Sequence, residues 1–157
     1  VGIGAISVSE FGDYSLAGGP GTAATQVLAG VVVRGTVTQI NGVNVAPINL
    51  APVTASFGDS LPGNVVAAPW SLGVFLDVGA QLAGIGFGPN DFATKVEVSV
   101  DNTLLALSEP GTAAAIIKKD FRVDIVPDPF IVPEPTTVAL ASLALCGLVA
   151  GSRRRFI

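Results

Sequence analysis

Hydrophobic and polar residues alternate along several stretches of this chain, and a period of two predicts β-strands. The clearest stretch is residues 70–78, where every second side chain is large and apolar, beginning with Trp70. Residues 94–100 and 120–126 alternate in the same way. The side chains predicted to face the core in these two stretches are Val96, Val98, Val100, Phe121, Val123 and Ile125.

Turn-forming residues separate these stretches. Asn41-Gly42 is the strongest hairpin signal and predicts a turn between a strand ending at Ile40 and one starting at Val43. An edge strand is predicted at residues 1–9. Loops or turns are predicted at residues 10–21, 59–64, 84–91, 101–102 and 118–120. About eight or nine short strands follow from this division.

The predicted fold class is therefore all-β, an antiparallel β-sandwich of the jelly-roll or Ig-like type. This domain is expected to span residues 1–126. No long amphipathic helix is predicted before residue 136. A Pro-rich linker is expected at residues 127–135, since its four prolines favour an extended backbone that cannot continue a sheet.

The end of the chain has a different character. Residues 136–151 carry no charge and would form a helix of about 24 Å, short against roughly 30 Å of bilayer hydrocarbon. Three arginines, Arg153, Arg154 and Arg155, follow this run. Basic clusters beside apolar segments remain cytoplasmic. Residues 136–157 therefore predict a single C-terminal transmembrane helix with a basic tail, and place the ectodomain across the membrane.

The motif Pro133-Glu134-Pro135, the short apolar run and the arginine cluster, in this order, closely resemble the PEP-CTERM sorting signal. The resemblance covers residues 132–157. It implies export through the Sec translocon and a transient inner-membrane anchor with a cytoplasmic C-terminus. It also implies recognition of Pro133, Glu134 and Pro135 by exosortase, a membrane cysteine transpeptidase, with Arg153, Arg154 and Arg155 as the retention signal. The mature protein would then reach the cell surface or extracellular polysaccharide matrix.

Two further observations accompany this resemblance. Residues 108–113 followed by residues 116–121 are similar to a segment in the ectodomains of some PEP-CTERM proteins, to which no activity is assigned. Family members carry an N-terminal signal peptide, whereas this chain begins at Val1 without one, which is expected of a processed protein or a fragment.

Simpler interpretations of the tail are a permanent C-terminal anchor, a buried core helix or a GPI signal. A core helix would show an amphipathic stripe, and this run is apolar all round. A GPI signal would end in apolar residues rather than in three arginines.

Composition limits the chemistry of the ectodomain. Twelve acidic and five basic residues precede residue 136, so this part carries a net charge of −7 and offers no basic surface for nucleic acid. The chain has no His, which removes the commonest general base and metal ligand. Its one Cys, Cys146, lies in the apolar run, so neither an internal disulfide nor a thiolate zinc site is expected. No metal and no cofactor are predicted.

The sequence leaves three functions open for the ectodomain. We expect a non-enzymatic structural role. The alternative is a carbohydrate-binding or adhesion module in which Trp70 contacts the glycan, although its place on an apolar strand face favours the core. A hydrolase would need two carboxylates close together in a cleft. Calcium binding would have to draw on scattered carboxylates, namely Asp13, Asp59, Asp77, Asp91, Asp101 and Asp128.

Overall fold

The computed structural model describes residues 1–19 and 24–128. These residues form seven β-strands and one short helix. In chain order the elements are β1 (Ile3–Gly18), β2 (Gln26–Ile40), β3 (Val43–Asn49), β4 (Val53–Ser60), β5 (Val65–Asp77), α1 (Val78–Gly84), β6 (Ala93–Leu107) and β7 (Thr112–Pro127). The predicted transmembrane segment at residues 136–157 lies outside the described residues. Within the described ranges no helix is long and apolar enough to cross a membrane.

The strands form two antiparallel groups, each built around one long central strand. In the first group β2 pairs with β6 on one side, and with β4 and then β3 along the other. In the second group β1 lies between β5 and β7. The groups join where Ile3 of β1 pairs with Ala93 of β6. This arrangement confirms the predicted all-β, antiparallel class.

The core lies between the two groups, because alternate residues of each central strand point toward the other group. Buried side chains of β1, β2 and β5 form one continuous apolar cluster, giving a sandwich-like packing. Its members on these strands are Ile6, Val8, Ala29, Val31, Val33, Val37, Ile40, Trp70, Leu72, Val74 and Leu76.

Several predictions from local pattern are confirmed. Trp70 begins the alternation expected in β5, where Leu72, Val74 and Leu76 are buried and the intervening side chains are exposed. Asn41 and Gly42 both have positive φ, 51° and 80°, as a two-residue hairpin of the primed type requires. Ile40 pairs with Val43 across this hairpin, as predicted.

The loop predicted at residues 10–21 is wrong, because β1 continues to Gly18. The N-terminal strand is also central rather than an edge. Glu10 and Gly12 fall within the predicted loop, yet both occupy buried inward positions of the same alternation as Val8. Each is accommodated by a partner distant in sequence, which local pattern does not reveal.

The turns predicted at residues 101–102 and 118–120 are wrong as well. Asp101 and Asn102 remain paired with β2, opposite Val32 and Val31. Residues 118–120 form a β-bulge within β7 rather than a reversal of the chain. Long partner strands therefore override local turn preference at both places. The described residues hold seven strands instead of eight or nine for this reason.

One feature of the inner face differs between the two sides of the molecule. We define the closed side as the side on which β4 and β5 meet, and the open side as the side bounded by β6 and β7. Phe121, Val123 and Ile125 pair with Glu10, Val8 and Ile6, so they share the predicted inner face. They are nevertheless 42%, 46% and 64% exposed. Their predicted orientation is confirmed, whereas their predicted burial is wrong.

Candidate functional site

The residues of the sorting motif, Pro133, Glu134 and Pro135, and the basic cluster Arg153, Arg154 and Arg155 lie outside the described residues. The described chain leads toward them from the end of β7. The amide of Asp128 donates a hydrogen bond to the carbonyl oxygen of Gly2, with an N···O distance of 3.0 Å. This bond holds the end of β7, where the chain leaves the β-domain, against the N-terminal end of the chain.

A cleft of about 410 Å³ lies beside this exit. The cleft is lined by β1, β5, α1, the loop before β6 and the end of β7. Three carboxylates border it, those of Asp77, Asp91 and Asp128. A Cβ added at Gly79 would lie 3.8 Å from Oδ1 of Asp77 and 4.0 Å from Oδ2 of Asp128. The cleft therefore gathers negative charge that is scattered along the sequence.

Two of these carboxylates stabilise local backbone structure. Asp77 caps helix α1, since its Oδ1 accepts a hydrogen bond from the amide of Ala80 at 2.8 Å. Oδ2 of Asp91 accepts from the amide of Gly88 at 2.9 Å, and its Oδ1 accepts from the side-chain amide of Asn41 at 3.2 Å. Within the described ranges no group of three or more His, Cys, Asp or Glu side chains could hold a metal ion.

The remaining carboxylates of the calcium hypothesis lie elsewhere and have other partners. Asp13 forms an ion pair with Lys119, and Asp101 forms one with Arg34. Asp59 accepts a hydrogen bond from the hydroxyl of Tyr14. The six aspartates are thus not brought together at one point.

Trp70 is a core residue, with only 3% of its surface exposed. Its ring stacks on Phe57 with a centroid distance of 6.1 Å and an interplanar angle of 22°. Its indole Nε1 donates to the carbonyl oxygen of Ile117 at 3.0 Å. The proposed glycan contact at Trp70 is corrected accordingly: neither the ring face nor the polar edge is open to a sugar.

The indole of Trp70 reaches β7 by passing over Gly12 of the intervening strand β1. Trp70 and Gly12 are paired residues, and a Cβ at position 12 would come within 2.6 Å of the indole nitrogen. The same Cβ would lie 1.9 Å from the carbonyl oxygen of Ile117. Gly12 is therefore required by this close approach. The bonded carbonyl of Ile117 lies immediately before the bulge in β7.

The bulge also places a lysine against a buried carboxylate. Glu10 is 1% exposed, and its Oε1 lies 3.5 Å from Nζ of Lys118. The same ammonium nitrogen is 5.1 Å from the ring centroid of Phe121. A solvated turn was predicted for residues 118–120, so this pair was missed. The inward spacing of Ile6, Val8 and Glu10 is the signal that could have identified it.

Tyr14 connects the two strand groups on the closed side. Its ring contacts that of Phe57 at a centroid distance of 5.2 Å, and its hydroxyl donates to Oδ2 of Asp59 at 2.6 Å. This hydrogen bond is the main reason that the pKa of Tyr14 is raised above 10.0, and burial and the carboxylate charge act in the same direction. The group is structural, because the hydroxyl has its partner within the fold.

No family model, curated protein or solved structure matches this chain. Interpretation of its function consequently depends on the tail sequence and on the chemistry of the described residues.

Proposed function

We propose that this chain is an exported surface or extracellular-matrix protein whose C-terminal PEP-CTERM sorting signal is processed by exosortase. The observation that carries this proposal is the order of three features at the chain end. The motif Pro133-Glu134-Pro135 comes first, a short uncharged apolar run follows, and an arginine cluster comes third. A folded domain alone has no need of this order.

The physical properties of each feature fit this role. Pro133 and Pro135 restrict the backbone to an extended form, which a processing enzyme can bind as a strand. Glu134 offers one carboxylate for an Arg or Lys of that enzyme. The run at residues 136–151 is short for a permanent anchor, and snorkelling side chains after it can complete a transient span.

The proposal specifies a domain organisation and a route. An antiparallel β-sandwich of jelly-roll or Ig-like type, residues 1–126, is followed by the linker 127–135 and a single transmembrane helix with its basic tail, 136–157. The Sec translocon would export the chain, and the membrane would hold it with its C-terminus in the cytoplasm. Exosortase would then release it to the cell surface or extracellular polysaccharide.

We further propose a structural rather than an enzymatic role for the ectodomain. The strongest aromatic candidate for a sugar platform, Trp70, is buried and hydrogen-bonded to the backbone. In the cleft beside the end of β7, Asp77 and Asp91 accept hydrogen bonds from the backbone. The support for a carbohydrate-binding module is weaker for this reason.

Processing can be tested by producing the precursor in cells with and without exosortase and measuring the mass of the mature protein. We expect loss of the residues beyond the motif only where exosortase is present. Glu134→Ala should slow this processing at least about tenfold, the loss expected when a charged hydrogen bond to the enzyme is removed. Glu109→Ala is the matched control, since it alters another Glu-Pro pair that lies in the turn before β7.

Retention of residues 136–157 in both cell backgrounds would contradict the sorting proposal and leave a permanent anchor. Equal slowing by Glu109→Ala and Glu134→Ala would show that the Pro-Glu-Pro motif is not what the enzyme recognises.

A further inference from the structure

The outer edge of β7 is a free strand edge beside exposed apolar side chains. Among the described strands β7 pairs only with β1, along nearly its whole length. Between Asp120 and Val126 the pairing with β1 is regular, so the outward backbone groups of this stretch are evenly presented. Such an edge is a template for another strand.

The inner side chains of this stretch are suited to being covered. Phe121, Val123 and Ile125 lie on one face and keep about half of their surface exposed. β6, the other boundary of the open side, also leaves inner residues exposed, with Val98 at 40% and Leu104 at 41%. Pairing a further strand with β7 would shield apolar area that the fold itself leaves in water.

The charges of β7 indicate which strand this is. Arg122 and Asp124 occupy the outer face and form an ion pair with an Nε···Oδ2 distance of 2.7 Å. If two copies of β7 pair antiparallel with Val123 opposite Val123, each Arg122 faces Asp124 of the other copy. In the same register each Phe121 faces Ile125 of the other copy. Opposite charges and apolar pairs thus coincide in one alignment.

Neighbouring antiparallel registers do not combine opposite-charge pairs with apolar pairs. A shift that centres the pairing on Arg122 places Arg122 against itself and Asp120 against Asp124, both like-charged pairs. A shift that centres it on Asp124 places two aspartates opposite each other. Charged residues on edge strands commonly prevent association. Here their alternating sign prevents these two registers and favours the one centred on Val123.

We propose that this protein forms a two-fold symmetric homodimer by antiparallel pairing of β7 with β7 of a second copy, centred on Val123. This interface is isologous, since the same residues contribute from both copies. It is independent of the sorting proposal, because it uses residues 120–126 alone and no part of the tail.

The decisive experiment uses two charge reversals in the full chain, in detergent micelles, with mass and association measured by analytical ultracentrifugation. Arg122→Asp puts carboxylate against carboxylate at both cross-strand positions, and Asp124→Arg puts guanidinium against guanidinium. We expect each variant alone to associate at least about tenfold more weakly than the parent. A mixture of the two variants should form a heterodimer, because opposite charges then face each other again.

Lys95→Glu on β6 is the matched control. Lys95 also pairs with an acidic residue two positions away, Glu97 at 3.9 Å, on an exposed strand. This reversal should leave dimerisation of the parent unchanged. If it weakens association as much as Arg122→Asp does, the effect is one of net charge and the proposed register is wrong.

The register itself is tested by cross-linking. In a Cys146→Ser background, Val123→Cys brings two thiols together at the symmetry axis, where paired Cα atoms lie about 4.5–5.5 Å apart, within disulfide range. We expect rapid oxidation to a covalent dimer, and oxidation at least about tenfold slower for Val98→Cys on β6, where no second thiol lies within disulfide range.

Two outcomes would overturn the proposal. A chain that stays monomeric up to about millimolar concentration, the range of weak association, has no such interface. A monomer in which the amides of residues 120–126 that point away from β1 resist hydrogen exchange would instead show that another part of the same chain covers β7. Failure of either kind leaves exosortase processing unaffected, so the two proposals can be judged separately.

Discussion

The closed and open sides of this fold are built from the same alternating pattern but differ in how they are covered. On the closed side, Phe57 of β4 packs between Tyr14 and Trp70, and a hydrogen bond joins Tyr14 to Asp59. On the open side, Phe121 and Ile125 point inward and remain in contact with solvent. Alternation therefore determines which face a side chain takes, while burial depends on whether another strand lies over that face.

One side chain connects the two sides. Trp70 belongs to β5 at the closed side, and its indole crosses β1 to bind the carbonyl oxygen of Ile117 in β7. The bulge that follows directs Lys118 toward Glu10. Packing on the closed side thus fixes the backbone of the strand whose other edge is open.

The largest expected effect on stability comes from truncating an aromatic side chain on the closed side, compared with one on the open side. Trp70→Ala removes a buried ring and its hydrogen bond, so we expect the free energy of unfolding to fall by about 3–5 kcal/mol. Phe121→Ala removes a ring that is 42% exposed and should cost no more than about 1–2 kcal/mol. Urea denaturation of both variants measures the difference. Equal losses would show that the open side is covered in solution as fully as the closed side.

A smaller loss of stability is expected from a substitution that tests whether the Trp70 indole passes over Gly12 of β1. Gly12→Ala forces a methyl group against Trp70 and the carbonyl oxygen of Ile117, and should lower the free energy of unfolding by about 2–3 kcal/mol. Gly73→Ala is the matched control in the neighbouring strand, because a Cβ there meets nothing within 4 Å. It should change stability by less than about 0.5 kcal/mol, as ordinary exposed positions do. Thermal unfolding followed by circular dichroism compares them, and a tolerated Gly12→Ala would contradict the close approach.

The same contrast explains how much of the fold could be predicted from sequence. The β5 alternation and the Asn41-Gly42 hairpin depend on neighbouring residues, and both were predicted correctly. Continuation of β1 through Glu10 and Gly12 depends on Lys118 and Trp70, which are more than fifty residues away in the chain. Polar and glycine residues resemble loop signals unless such partners are known.

The tail motif and the acidic cleft differ in how far the sequence alone could predict them. Recognition of the tail rests on the order of short motifs, which a linear sequence carries in full. The cleft bordered by Asp77, Asp91 and Asp128 could not be foreseen, since those residues come from three separate segments that only the tertiary fold brings together. These carboxylates have no regular spacing in the sequence, which therefore carries no local signal for the cleft.

The smallest expected effect concerns the hydroxyl that joins the two strand groups on the closed side. Tyr14 is the one tyrosine of the chain, so its phenolate absorbance can be titrated without interference. Because its hydrogen bond to Asp59 raises its pKa, we expect a midpoint above 10.0 that moves back toward 10.0 in Asp59→Asn. In the parent, the amide of Ser60 donates a hydrogen bond to Oδ1 of Asp59, the oxygen that Tyr14 does not use. The side-chain oxygen of an asparagine can still accept this hydrogen bond, so local structure is retained.

The pH dependence of stability follows from the direction of this shift. A group whose pKa is higher in the folded state stabilises the fold fully below its unfolded pKa, and this contribution disappears as the pH rises through the folded value. Unfolding measured from about pH 9 to pH 11, across the ordinary tyrosine pKa, should therefore show a steeper loss for the parent than for Tyr14→Phe, by about 1 kcal/mol or less. Parallel losses in the two proteins would mean that the hydroxyl is solvated rather than bonded to Asp59, and the closed side would then depend on aromatic packing alone.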